Sequence, residues 1–487
     1  MGIQYLATVN EEVYALISKR IRILALTLGA CFCLLGYGMG QLQSGVSVSN
    51  SGTISFKRSY ICGNYNSTHY YAQNKVTGNY ELISTDATQT ISYAVSKLTS
   101  GRTWQETVLL KGTFSIGTTI TLSQGKVLLD CRQATLTSTA SILLDVRSSN
   151  VTILGGHWIG QTGCATAIQT GGSNAINCMI DGLEVTNFNG GLPGAIVIGS
   201  GSSNTTIQNC LMHDNDENYC INILQGANWV INCHLYNANT HTGRTPGIMI
   251  NQGTGYNHIV NCEFDQLYNH AVYSDGGSTA IGHNVITGCK FHDFLGGNGA
   301  ACQIKTQNNE IYDNDIWNWT ASYAFSIYSE LSGYAANDND IHHNTFTNCL
   351  YAVVLGHSTS GHSPTSRNLV HDNVFTGCTY AITLSAGNSP ALVDDTKIYY
   401  NDFHNCPTPF YSMPTDALNL VQNTVIAYNY FNASVPSNIV TRLQSYANTM
   451  SYQNTRFPPN TATLAMANFN YSNITNPASW YYVAPRA

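Results

Sequence analysis

Ile341-His342-His343-Asn344-Thr345-Phe346-Thr347-Asn348-Cys349-Leu350-Tyr351-Ala352-Val353-Val354-Leu355-Gly356 is the stretch whose reading decides the architecture. Its first six residues read apolar, any, any, Asn, any, apolar. The phrase recurs with Cys or Asn at its fourth place, centred on Cys178, Cys210, Cys233, Cys262, Cys289, Asn314, Asn344, Asn373, Asn401 and Asn429. The steps are 32, 23, 29, 27, 25, 30, 29, 28 and 28 residues. Self-similarity at this period marks an array of stacked supersecondary units, each burying its apolar face against the next.

Within one copy, the pattern divides into three short strands. Asn344 sits at a tight bend, where the sequence predicts an Asn in the left-handed region with its amide bonded to a neighbouring coil. Thr347-Asn348-Cys349-Leu350-Tyr351 turns the chain again, and Ala352–Gly356 forms the third strand. Like strands of successive coils then pair as parallel sheets, with right-handed crossovers. At the strand spacing of about 4.8 Å, ten coils make a rod on the order of 50 Å long.

Composition narrows the class. The chain has 487 residues, 43% hydrophobic but only 10% charged, so a linear array rather than several globular cores accommodates its length. Twenty Lys+Arg against 27 Asp+Glu leave a net charge of −7, which supplies no basic footprint for nucleic acid. Lys19, Arg20 and Arg22 lead into an uncharged stretch at 23–40, the pattern of a signal peptide ending near Gly38-Met39-Gly40 or of a retained membrane anchor. Seven Asn-x-Ser/Thr sequons, at Asn66, Asn150, Asn204, Asn318, Asn432, Asn470 and Asn473, are compatible with export and glycosylation.

Thirteen cysteines follow the leader. Export argues for disulfides, whereas the repeat argues for free thiols. Side chains stacked in one column point the same way, and a disulfide needs converging Cβ atoms. The expectation is buried reduced thiols and no zinc site.

The resulting division is a leader at 1–40, a linker with first strands at 41–80, the solenoid at 81–437 and a capping tail at 438–487. Residues 86–99 read as an amphipathic helix with Asp86 as N-cap, sharing Ile91, Ala94, Val95 and Leu98 on one face and closed by Gly101. It would seal the first coil, because an open solenoid end exposes unpaired backbone.

The Asn column at 314, 344, 373, 401 and 429, with the Asn-x-Phe phrases Asn344-Thr-Phe346, Asn373-Val-Phe375 and Asn401-Asp-Phe403, resembles the right-handed parallel β-helix superfamily of pectate lyases, polygalacturonases and related proteins. The entry Asp86-Ala-Thr-x-x-Ile91 followed by Leu110-Lys-Gly-Thr-Phe114 is similar to the start of many exported members. The resemblance covers roughly residues 80–435. It implies an all-β, single-stranded right-handed parallel β-helix of three sheets with a short amino-terminal helical cap, and a polysaccharide or glycan as partner. The polygalacturonase pattern is absent, since Gly282-His283-Asn284 departs from it.

Alternation in the third strands assigns their outward residues. One column is Val197, Asn222, Met249, Tyr273, Gln303, Ser326, Val354 and Thr383. The other is Gly199, Leu224, Asn251, Asp275, Lys305, Tyr328, Gly356 and Ser385. Their polar residues concentrate in the central coils. There Asp275, Lys305 and Tyr328, with Arg244 and His270 from flanking loops, form the candidate catalytic set. Asn251, Tyr273, Gln303, Glu330 and His241 are the candidate substrate contacts.

A cation that neutralises a uronate carboxylate, a base for the C5 proton and an acid for the leaving oxygen would support β-elimination or epimerisation. Lys305 suits the first role, with Tyr328 or His270 moving protons. Ca²⁺ on Asp275, Glu330 and Asn251, or at Asp313/Asp315 or Asp338/Asp340, is an alternative use of the carboxylates. The bland alternative makes Asp275 and Lys305 an exposed cross-strand pair. His342, His343, His371 and His404 read as structural. Trp158, Trp229, Trp317 and Trp319 fall at turns, with one of the alternating pair Trp317/Trp319 expected outside. A non-catalytic structural or adhesive surface protein is the competing class, and no Met/His cluster favours copper.

Overall fold

The computed structural model describes residues 58–171, 175–191, 193–215, 218–237, 246–251, 254–276, 282–296, 299–329, 336–356, 365–384, 393–412 and 421–431, and short strands at 46–48, 54–56, 450–452 and 455–456. The segments read as leader and most of the tail lie outside them. The chain divides into two compact units at Arg58/Ser59. In the first, Val46–Val48 and Ile54–Phe56 pair antiparallel.

The second unit is a right-handed parallel β-solenoid with very little helix. Its third strands make a twelve-stranded sheet running from Ile120–Leu122 through Ile196–Ile198, Ile248–Ile250, Cys302–Ile304 and Tyr351–Leu355 to Thr408–Ser412. Every neighbouring pair of the twelve is parallel. The register aligns Val197, Asn222, Met249, Tyr273, Gln303, Ser326, Val354 and Thr383 as one column, as alternation predicted.

Two further strands per coil complete the cross-section, exemplified by Asp340–His342 and Thr345–Thr347, and each pairs in parallel with its counterpart above and below. The ladder continues through Val425–Ala427 and Tyr430–Phe431 to Met450–Tyr452 and Thr455–Arg456.

The Asn-x-Phe phrase places its two residues in different internal columns. Phe346, Phe375, Phe403 and Phe431 are buried and stack face to face at 5.0 Å. Burying each ring contributes about 2–3 kcal/mol, and each stacked pair about 1 kcal/mol more. Asn314, Asn344, Asn373, Asn401 and Asn429 are also inside, each at most 1% exposed. Asn344 Nδ2 donates to Ile311 O at 2.9 Å, and its Oδ1 accepts from Asn314 N at 3.2 Å.

The left-handed expectation for these asparagines is overturned. Positive φ belongs to the residue before each: Asp313, His343, Asp372, Tyr400 and Tyr428. That residue turns the corner, which frees the Asn amide to point inward and bridge coils. A second ladder of the same kind runs through Asn228, Asn257, Asn284, Asn309, Asn339 and Asn368. In it, Asn309 N donates to Asn339 Oδ1 at 3.0 Å.

The thirteen described cysteines are all buried and none is disulfide-bonded. Cys210, Cys233 and Cys262 occupy one column, and a neighbouring thiol together with burial pushes their pKa values well up. They stay protonated and donate to carbonyls, as Cys289 Sγ does to Thr287 O at 3.4 Å.

The helix Ala87–Ser96 packs on the first coils, with Asp86 accepting from Gln89 N at 3.1 Å and Ile91, Ala94 and Val95 buried. Trp158 and Trp319 fill the core, whereas Trp317 points out and stacks on His292 at 4.2 Å. Among the described residues no helix is long and apolar enough to cross a membrane.

Candidate functional site

The outer face of the twelve-stranded sheet is covered along most of its length. Between Val197 and Gly356 the two outward columns are buried except at Leu224, Asn251, Tyr273 and Asp275. The access is local and lies over the central coils where the polar residues collect.

The opening is organised around a buried cation. Lys305 follows the strand Cys302–Ile304, and its N–H donates to Ser274 O at 3.0 Å. Its side chain is only 2% exposed, which overturns the reading of Lys305 and Asp275 as an exposed pair. The Nζ lies 4.0 Å from Asp275 Oδ1, 4.6 Å from the Tyr273 ring centroid and 5.3 Å from that of Tyr328. It also donates to the Tyr273 hydroxyl.

At an intermediate effective dielectric, a charge pair at 4 Å gains about 4 kcal/mol, and each cation–π contact about 1 kcal/mol. Dehydrating the ammonium costs several kcal/mol, so the terms roughly cancel and the cluster adds little net stability. The backbone makes room for it. A Cβ on Gly276 would stand 2.6 Å from Lys305 O and 2.9 Å from its Cβ, so that position requires glycine.

The remaining candidates fall around this cation in three groups. Gln303 Nε2 donates to the Tyr328 hydroxyl at 2.7 Å, both residues being buried. Asn251 donates to Asn222 Oδ1, and Asn222 donates onward to Pro193 O at 2.5 Å, so this amide pair ties two coils at the rim. His270 is partly exposed by surface area yet closely packed. Dehydration first, and the Lys305 charge second, lower its pKa to about 3. Its Nδ1 accepts from Ala300 N at 2.8 Å, so the ring is neutral with one nitrogen committed to the backbone. It cannot serve as a proton donor near neutrality.

Tyr219, absent from the sequence-level set, is a further neighbour. Burial and then the Asp275 charge raise its pKa. No periodic signal marks it, because it precedes its strand Ile221–Ile223 by two residues. Arg244, His241 and Glu330 lie outside the described residues. Among the described residues no cluster of three His, Cys, Asp or Glu side chains forms a metal site.

Chemically, the opening presents one partly exposed carboxylate (Asp275), one phenol (Tyr273) and one amide (Asn251) above a dehydrated ammonium. The ammonium donates to the Tyr273 hydroxyl and lies against the Tyr273 and Tyr328 rings. It is covered too well to meet a substrate group directly.

Residues 220–403 match the family described as right handed beta helix region. Among solved structures, a tailspike protein variant of E. coli bacteriophage HK620 in complex with a pentasaccharide aligns with a TM-score of 0.51 and 16% identity, over 72% of this chain and 64% of the tailspike. The chain thus spans less than two thirds of that tailspike's length. Another HK620 variant complex aligns with a TM-score of 0.53 and 15% identity, over 84% of this chain and 74% of the other. The catalytic domain of a GH87 alpha-1,3-glucanase in complex with nigerose gives 0.52 and 13%, over 71% and 67%. At these identities the likeness is one of fold. No curated protein sequence matches this chain.

Proposed function

We propose that this β-helix protein binds and acts on a polysaccharide, and that the sugar chain engages the opening over the central coils. The observation that carries the reading is the coincidence of access and chemistry. Between Val197 and Gly356 the outward columns are buried except at Leu224, Asn251, Tyr273 and Asp275, and the last three lie around buried Lys305. Clefts that pair aromatic surface with a few fixed polar groups are the usual form of a small-ligand site. Solved β-helices of like fold, the HK620 tailspike and the GH87 glucanase, hold a pentasaccharide and nigerose. Export to the exterior belongs to the same proposal, supported by the basic-then-apolar sequence at 19–40.

In this reading Asp275 is the group that exchanges a proton with the sugar, and Tyr273 is its partner at the rim. Lys305 is a positioning residue. Its burial argues against the role of uronate neutraliser, so elimination or epimerisation would need that cation from elsewhere, Arg244 being the sequence's candidate. Two-carboxylate hydrolysis would require a second acid beside Asp275, for which Glu330 is the candidate.

The test is a panel of uronate-containing and neutral polysaccharides, followed in parallel for ultraviolet absorbance of an unsaturated product and for new reducing ends. Absorbance assigns elimination; reducing ends without absorbance assign hydrolysis. Asp275→Asn should remove either signal by about 100-fold or more, in the range of a lost general acid or base. Neither binding nor product on any polymer would overturn the proposal. Binding without product would leave the adhesive reading, which the single described carboxylate favours.

A further inference from the structure

Away from the covered sheet, two aromatic side chains stand out at the bend where each coil enters its first strand. Trp229 is 38% and Tyr256 54% exposed. Each has one face closed by a histidine of the next coil. Trp229 stacks on His258 at 3.8 Å with 7° between the planes, and Tyr256 on His283 at 4.8 Å with 2°.

The opposite faces look toward small residues of the preceding coil. Thr206 pairs in register with Trp229. Ala227 precedes Asn228, which is laddered to Asn257, so Ala227 lies opposite Tyr256. The other faces of the two rings therefore lie on diagonal positions of adjacent coils.

We propose that the open faces of Trp229 and Tyr256 form a second glycan-contact surface, separate from the opening over Lys305, on which neutral pyranose rings stack. The geometry favours a sugar over other flat or apolar partners. Each ring is held rigid by its histidine, so little freedom is lost on binding, and the indole and phenol offer an apolar face beside a polar tip. Burial lowers the His258 pKa, so the imidazole backing Trp229 is neutral near pH 7. The neighbours on the open side, Thr206 and Ala227, carry no charge. They offer no cation for phosphate or sulfate, and the chain's net charge of −7 opposes polyanions. The hydroxyl of Thr206, partly exposed, supplies a polar edge for a sugar hydroxyl.

The experiment is titration of the whole protein with linear neutral hexaoses (nigero-, laminari-, cello- and malto-series), read by tryptophan fluorescence and calorimetry. The expected result is a fluorescence change on binding to at least one series. Trp229→Ala and Tyr256→Ala should each weaken that binding about tenfold, the scale of one lost ring contact. Both side chains are surface-exposed, so an unchanged circular dichroism spectrum should accompany the loss. Asp275→Asn should leave the tryptophan fluorescence change in place whatever it does to sugar held at the opening, which keeps the surface distinguishable from the opening. Unchanged affinity in both aromatic variants, loss of all binding in Asp275→Asn, or no binding by any hexaose would each overturn the proposal.

Discussion

Replacing Asn344 by alanine should destabilise the solenoid by about 3–5 kcal/mol, and the structure shows where that figure originates. The side chain is fully buried. Its Nδ2 donates to Ile311 O, His342 O and Asn373 Oδ1 at 2.9, 3.0 and 3.0 Å, and its Oδ1 accepts from Asn314 N and Nδ2 at 3.2 and 2.9 Å. Alanine leaves the Asn314 N–H and the Ile311 carbonyl without the side chain that meets them. Each orphaned buried group costs about 1–3 kcal/mol, with a further contribution from the cavity. Asn344→Cys should cost only about 1–2 kcal/mol, since a thiol both donates to a carbonyl and accepts, though more weakly than an amide. The protein uses that solution itself: in the same column Cys289 Sγ reaches Ile259 O at 3.6 Å, and the Cys262 sulfur takes a backbone hydrogen bond from Cys233. Urea unfolding of the three proteins, with hydrogen exchange at the Asn314 amide, measures both effects. Stacked repeats couple to nearest neighbours, so protection should fall first in the coils of Asn314 and Asn373. A loss below about 1 kcal/mol for alanine, or equal losses for alanine and cysteine, would refute the bridging role.

Asp275→Asn should lower the melting temperature more than Lys305→Met, because the first leaves a buried ammonium with less compensating charge, whereas the second removes a charge whose gains and costs nearly cancel; thermal unfolding of both decides it. His371, stacked between His342 and Tyr399, accounts for a pH effect of definite sign. Burial lowers its pKa, but the carboxylates of Asp340 and Asp372, each 2.9 Å from a ring nitrogen, outweigh that and raise it to about 9. The stabilisation is full below the unfolded value near 6.5 and disappears as pH rises through 9. Its ceiling is about 3 kcal/mol, reduced by solvent at Asp340, which is 35% exposed; His371→Gln should flatten stability between pH 6 and 10. Thiol titration should find the thirteen described cysteines unreactive while folded and all reduced after denaturation without reductant, and several bridges would contradict the columns.

The sheet register was legible because the third strands alternate strictly, with Ile196/Ile198, Ile221/Ile223 and Ile248/Ile250 inward, and a one-residue slip would expose every one of them. The Asn ladder was legible as a repeat but not in its geometry. Sequence marks Asn344 as special without revealing that His343, at φ 55°, carries the turn. The second ladder keeps the same period, with steps of 29, 27, 25, 30 and 29 from Asn228 to Asn368. Least legible was the covering of the outer face. Alternation says which way Lys305 points from its strand, not what lies above it, and the loops between coils have no period to read.

A stacked array makes departures from repetition informative. In a column whose neighbours lie about 4.8 Å away, one residue type satisfies its environment much as the next does, so the internal positions converge on Ile, Phe, Asn and Cys. A residue with needs unlike its neighbours' must be accommodated by specific adjustments in the adjoining coils. Lys305 has these: phenols from the coils on both sides, a carboxylate from one, and a glycine at 276 that lets the backbone come close. Four adjustments to hold one ammonium, for almost no net stability, are hard to attribute to folding. They concentrate in the central coils, where two of them, Tyr273 and Asp275, are among the few outward residues between Val197 and Gly356 that solvent reaches. That coincidence supports the proposed placement of the site over the central coils and makes Asp275 the residue to alter first.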